Sequence, residues 1–143
     1  YGYPTALGVQ VGNPDRVVVS VNGDGGFMYN VQELSTQAEF EIPLITLVFA
    51  DGLFGNVKRI QQEKYSGHGM STKLNNPDFA ALAELFGVTG YRANTSEELF
   101  STLTTAIENR KPALIEVTQP PTPGLSSPMV MKQEPPRPIV NWP

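Results

Sequence analysis

"VVVSVNGDGGF", residues 17–27, runs from a block of β-branched residues directly into a glycine cluster that holds a single carboxylate, Asp24. Val17 to Val21 have the composition of a buried strand. Gly23, Gly25 and Gly26 then allow a sharp turn and a close approach of the backbone to whatever lies outside it. Two readings of Asp24 are open at this point: a local cap on a tight strand-to-helix turn, or a ligand for an ion at a strand end.

Downstream, Asn30 to Phe40 reads as a helix, with Val31, Leu34 and Ala38 at spacings of three and four. Asn30 is its expected N-cap, and Glu33 completes a capping-box pattern. Pro43 closes that segment. "LITLVFA", residues 44–50, is a continuous apolar run typical of a strand covered on both faces, and it ends at Asp51-Gly52. A helix is expected over 56–65, followed by a polar, glycine-containing loop over 66–76. Residues 78–86 read as a helix stopped by Gly87, 88–93 as a strand, 96–109 as a capped helix and 113–118 as a last strand. Upstream, residues 5–12 form a short helix of small residues, ended by the turn Gly12-Asn13-Pro14-Asp15. Strand and helix alternate throughout, which predicts an α/β domain of three α/β/α layers with a mainly parallel sheet. From Gln119 onward the prolines exclude regular structure. The expected division is therefore a domain over 1–118 and a Pro-rich, extended C-terminal tail over 119–143.

The chain of 143 residues is long enough to bury a core without staples. Its balance of 40% hydrophobic and 17% charged residues is that of a globular, soluble protein. Fourteen acids against ten bases give a net charge of -4, with no Lys/Arg cluster, so neither nucleic acid nor membrane is an expected partner. With no cysteine there is no disulfide frame, thiolate nucleophile or zinc–thiolate site, and the default location is cytoplasmic.

Asp24 and Asp51 both follow strands, and both precede glycine and then a helix. In parallel α/β sheets ligands gather at the carboxyl ends of strands. Two adjacent strands would bring both carboxylates to one hard divalent cation, which commonly completes its shell with phosphate oxygens. Glycines and a helix N-terminus beside it suit a diphosphate held by main-chain amides. Neither a Walker Gly-Lys-Ser/Thr loop nor the G-x-G-x-x-G spacing is present.

In order along the chain, "YGYPTALG" (1–8), "VVVSVNGDGGF" (17–27), "QELSTQAEFEIPLITLVFADGLFGNVKRIQ" (32–61) and "NNPDFAALAELFGVTGYRA" (75–93) resemble one family. They are similar to the diphosphate-binding domain of thiamine diphosphate-dependent enzymes of the acetolactate synthase, pyruvate oxidase and benzoylformate decarboxylase type. The resemblance covers residues 1 to about 118. It implies thiamine diphosphate and Mg²⁺ as cofactors and a lyase or transferase activity, decarboxylase or carboligase, on a small 2-oxo acid. A homodimer or homotetramer is implied as well.

Carried over residue by residue, the resemblance implies Asp24, Asp51 and the main-chain carbonyl of Leu53 as metal ligands. Gly23, Gly25, Gly26 and Phe27 would line the diphosphate through the main chain, and Leu53 and Phe54 would border the thiazolium and substrate pocket. The family's motif closes on an Asn-Asn pair, where this chain has Ala50-Asp51. Aspartate keeps an oxygen for the metal, adds a negative charge and removes an amide donor, so metal binding is still expected. The family's first strand would precede the block matching "YGYP", and the domain is therefore expected to lack it. The glutamate that activates the cofactor belongs to a pyrimidine-binding domain of the same or another subunit. No catalytic residue is expected in this chain, which alone would be inactive. Alternatives are a natural small subunit of a two-polypeptide decarboxylase, a non-catalytic regulatory domain that kept the fold, and an unrelated phosphate-sensing domain.

His68, the single histidine, reads as an exposed loop residue, with proton transfer over a substrate as the competing role. Asn75-Asn76 precedes Pro77-Asp78 and is read as turn and cap chemistry. Glu33 is assigned a structural role. Phe54, Val57 and Ile60 are read first as core residues, Lys58 and Arg59 as a solvated face, and Met129 to Met131 as part of a strap.

Overall fold

Tyr3, Leu7 and Gln10 recur at intervals of four and three, and this buried stripe makes Gly2–Gly12 the first helix, α1. Its turn back to the sheet is organised by the Gln10 side chain. The amide nitrogen of Gln10 donates to the carbonyls of Asn13 and Arg16, and its oxygen accepts the Val18 N–H at 3.1 Å. A buried amide with all these partners costs little and fixes the loop.

The computed structural model describes residues 1–65 and 70–119. After α1 come β1 (Val19–Gly23), α2 (Asp24–Met28), a 3-10 turn (Val31–Glu33), α3 (Leu34–Glu39), β2 (Ile45–Ala50) and α4 (Gly55–Lys64). Then follow α5 (Phe79–Phe86), β3 (Thr89–Ala93), α6 (Ser96–Asn109) and β4 (Ala113–Thr118). The four strands form one parallel sheet in the order β1-β2-β4-β3. β2 and β4 lie inside it, so their apolar runs are covered on both faces.

Side-chain alternation sorts the core into two layers. Val48 and Leu114 face Tyr3 and Leu7 of α1, Phe27 of α2, Leu34 of α3, and Phe79 and Ala83 of α5. Ile45, Leu47, Ile115 and Val117 face Ala106 of α6, with Leu99 and Leu103 packed beside it. The predicted α/β arrangement, a parallel sheet with helices on both faces, is the observed one. β1 is a sheet edge, and Val17, Val19 and Val21 are exposed, so the expectation of a buried strand over 17–21 fails on that face: an edge strand has a neighbour on one side only.

Local expectations need further correction. The strand opening at Val17 starts at Val19, because parallel pairing begins where Val19 meets Ile45. The single helix over 30–40 is a 3-10 turn followed by the short α3, and a further helix, α2, begins at Asp24 itself. Asn30 makes no side-chain capping bond, and Glu33 instead accepts from the Thr36 hydroxyl at 2.8 Å. Finally, α4 carries no buried residue: Val57 is exposed, and Phe54 and Ile60 are half-buried. Helical spacing of apolar residues identifies a face, but burial needs an opposing surface, and α4 packs into neither core layer.

By contrast α5 and α6 match their predicted spans. Asp78 caps α5 by accepting from Ala81 N–H at 2.9 Å, and Gly87 ends it in the left-handed conformation. Thr95 caps α6 by accepting from Glu98 N–H at 3.1 Å. His68 and Met129 to Met131 lie outside the described residues.

Candidate functional site

β1 and β2 are parallel neighbours, so the segments leaving their carboxyl ends emerge side by side. Asp24 leaves the first and Asp51 the second. Asp24 is 3% exposed, and a carboxylate buried that deeply needs donors. It has three. Its Oδ1 accepts from Gly25 N–H at 2.7 Å, and its Oδ2 accepts from Gly52 N–H at 2.8 Å and from the Asn76 side-chain amide at 2.6 Å. Charge-assisted bonds of this kind are shorter and stronger than neutral ones.

The bond from Gly52 ties the two strand ends together through Asp24. Gly52 reaches it at φ +71, a conformation that side-chain-bearing residues rarely adopt. Beside it, Asp51 Oδ1 accepts from Leu53 N–H at 3.0 Å, so the Asp51 carboxylate closes its own loop.

Residues 70–76, expected only as loop, run back across this turn. Leu53 and Lys73 form an antiparallel bridge, with Phe54 N–H donating to Thr72 O and Leu74 N–H to Gly52 O, each at 2.8 Å. Neither bond uses the Leu53 carbonyl. The returning segment is secured at its far end by α5, whose cap Asp78 also pairs with Arg92 of β3. Arg92 bonds Glu116 of β4 at 3.3 Å, and Glu116 accepts from Ala80 N–H at 3.2 Å. The Ala81 amide, and after it Arg92, hold the Asp78 carboxyl below its ordinary value.

The glycines turn out to serve space more than turning. The chain passes directly from β1 to α2 here, and Gly23, Gly25 and Gly26 all keep negative φ, so the change of direction does not require a glycine-only conformation. A Cβ on Gly25 would lie 2.4 Å from the Phe54 ring, which packs on that α-carbon, whereas a Cβ at Gly26 would meet nothing within 4 Å. Phe27 turns its side chain fully into the core between Tyr3 and Phe79, leaving only its main chain for a ligand. Gly25, Phe54, Met28, Tyr29 and Leu74 line a cavity of about 250 Å³. A larger one, about 380 Å³, lies at the start of α6 between Phe49 and Val117; Asp24 is not among the residues lining it.

Among the site residues expected from the sequence, Asp24, Gly25, Leu53 and Phe54 are thus drawn around one turn, with Asp51 between them. Asn76 was the omission. Its segment carries a cap, but the cap is Asp78, and the Asn76 amide goes to Asp24. No local pattern announces this, because the two residues are 52 positions apart.

A carboxylate oxygen is a ligand type that hard cations take. Three N–H groups occupy three of the roughly four acceptor positions of the Asp24 carboxylate, leaving one on Oδ1. Among the described residues no group of three or more His, Cys, Asp or Glu side chains converges. A cation here would therefore depend on few side chains together with main-chain and ligand oxygens.

Residues 1–117 match the family model described as thiamine pyrophosphate enzyme, C-terminal TPP binding domain. The acetolactate synthase large subunit of Haemophilus influenzae is 42% identical over 72% of this chain, which spans 18% of that protein. For the acetolactate synthase isozyme 3 large subunit of Escherichia coli the identity is 38% over 82% of this chain and 21% of that protein. The chain thus spans about a fifth of the length of these curated relatives. Among solved structures, a thiamine diphosphate-dependent 4-hydroxybenzoylformate decarboxylase of Rhodococcus jostii RHA1 superposes with a TM-score of 0.78 at 30% identity. That match covers 83% of this chain and 23% of the other. With the family model spanning nearly all of its regular structure, this chain belongs to the C-terminal TPP binding domain family of thiamine pyrophosphate enzymes.

Proposed function

We propose that this chain forms the diphosphate- and Mg²⁺-binding half of the cofactor site in an acetolactate synthase-like decarboxylase or carboligase acting on a small 2-oxo acid. The observation that carries the reading is the tie between the two strand ends, Gly52 N–H to Asp24 Oδ2 at 2.8 Å, beside the open acceptor position on Oδ1. Asp24, Asp51 and the Leu53 carbonyl, which the neighbouring bridge does not use, would hold the metal. The diphosphate would meet main-chain amides of Gly26 and Phe27 beside Gly25, whose own N–H goes to Asp24 Oδ1, with Gly23 delivering Asp24 from the strand. Phe54 would border the cofactor ring across the cavity it shares with Gly25.

Thiamine diphosphate, when bound, supplies the electron sink for decarboxylation. This chain's residues bind and orient it. Proton transfer would be left to a pyrimidine-binding domain of the same or another subunit, within a cytoplasmic homodimer or homotetramer. Within this proposal the cofactor-binding domain comprises residues 1–118, and 119–143 is a tail.

Calorimetry on the full-length protein with thiamine diphosphate and Mg²⁺ tests the reading. Metal-dependent cofactor binding is expected in the wild type and is expected to vanish in Asp24→Ala. Retention of that binding by the variant refutes the assignment of Asp24.

A further inference from the structure

We propose that Asn76 is a positioning residue for the metal-binding carboxylate, holding Asp24 in the rotamer that leaves Oδ1 open. The inference rests on the functional reading above and extends it to a residue outside both strand-end loops. Asp24 Oδ2 has two donors, the Gly52 amide and the Asn76 side chain, and together they fill its acceptor positions. With Oδ2 saturated, the acceptor position that remains is on Oδ1, beside the Gly25 amide. Of the three donors, Asn76 alone acts through a side chain.

Its delivery is built in. The segment carrying Asn76 is paired with Gly52–Phe54 on one side through Thr72 and Leu74. On the other it is fixed by Pro77 and the Asp78 cap, itself paired with Arg92. Pro77 also holds residue 76 out of the helical region, so α5 cannot extend backward and draw the amide away. The same segment places Leu74 in the cavity beside Gly25 and Phe54. Asp51, next in the chain to the Gly52 donor, is a carboxylate and offers no N–H to Asp24. Partners that orient a metal ligand typically change metal affinity by about 10–100-fold when removed.

The test uses the full-length protein with Mn²⁺ as the probe, free Mn²⁺ being counted by electron paramagnetic resonance with thiamine diphosphate present. Asn76→Ala is expected to weaken Mn²⁺ binding about 10-fold or more while the circular dichroism spectrum and thermal midpoint stay near wild type. Asn76→Asp has the same shape but offers oxygens where Asp24 needs a donor, and it is expected to weaken binding further. A role in packing alone would spare this isosteric variant. Asn76 is only half-buried, so both variants are expected to fold. Wild-type Mn²⁺ affinity in both variants, with Asp24→Ala failing to bind, overturns the inference and leaves the functional reading intact. Failure of the wild type to bind Mn²⁺ overturns both.

Discussion

The ring of Phe54 packs on the α-carbon of Gly25, so closely that a Cβ built there would lie 2.4 Å from Phe54 Cε1 and 2.8 Å from Cδ1. Gly25 lies in α2, which leaves β1, and Phe54 lies just before α4 on the segment leaving the neighbouring β2; their contact closes the same turn that Gly52 ties to Asp24. Glycine at 25 is therefore demanded by its neighbour across the site, since its own backbone conformation is an ordinary one.

Gly25→Ala is accordingly expected to cost about 1–3 kcal/mol by overpacking, as the ring must swing out of the cavity. Adding Phe54→Ala should recover most of that loss, because the clash disappears with the ring. Urea denaturation of the two single variants and the double variant measures this coupling. Additive losses would show that the contact is not the reason for glycine.

Tyr3 lies under α2 and α3 with 1% of its surface exposed, and its hydroxyl donates to Gln37 Oε1 at 2.7 Å. The Gln37 amide nitrogen in turn donates to the Leu44 carbonyl at 2.7 Å, joining α1, α3 and the start of β2. Removing the hydroxyl in Tyr3→Phe leaves a buried acceptor unpaired and is expected to cost about 1–3 kcal/mol. Burial, and to a lesser degree Glu33, raises the Tyr3 hydroxyl above its ordinary value. Below about pH 10 both folded and unfolded chains keep this proton, and the stabilisation is intact. Above it the unfolded chain releases the proton first, so stability falls as pH rises, with a slope of up to about 1.4 kcal/mol per unit from this group. Unfolding free energies at about pH 9 and 11 should show that slope in the wild type and a shallower one in Tyr3→Phe.

Thr46, the second residue of β2, is fully buried, and its hydroxyl has no hydrogen-bond partner among the described residues. An unpaired buried hydroxyl is a net cost, and valine has nearly the same outline. Thr46→Val should raise stability by about 1 kcal/mol, measurable as a higher urea midpoint at unchanged slope. A destabilised variant would reveal a hydrogen bond the hydroxyl makes in solution.

Much of the architecture is written locally. The apolar run 44–50 marks a strand covered on both faces, and β2 is covered on both. Asp78 and Gly87 bracket α5, and Thr95 opens α6, because caps act within one turn of the chain. Asp24 and Asp51 were legible as a pair because each follows an apolar, β-branched run and has glycine next to it. The resemblance of four ordered blocks pointed to the family that the comparison then showed.

Other features depend on contacts between distant residues, and no local pattern carries those. β1 begins at Val19 and not Val17 because Ile45 is where its partner strand begins. α4 has an apolar stripe yet buries nothing, since burial requires a surface to meet. Asn75-Asn76 looked like cap chemistry, and one member of the pair proved to be bonded to Asp24 through a segment paired back onto residues 52–54. Periodicity, caps and turn residues thus settle which elements form and where the carboxylates emerge, being properties of a few consecutive residues. The Gly52 and Asn76 donors at Asp24 and the ring against Gly25 come from separate segments, so these contacts exist only once the sheet has set its register and brought those segments together.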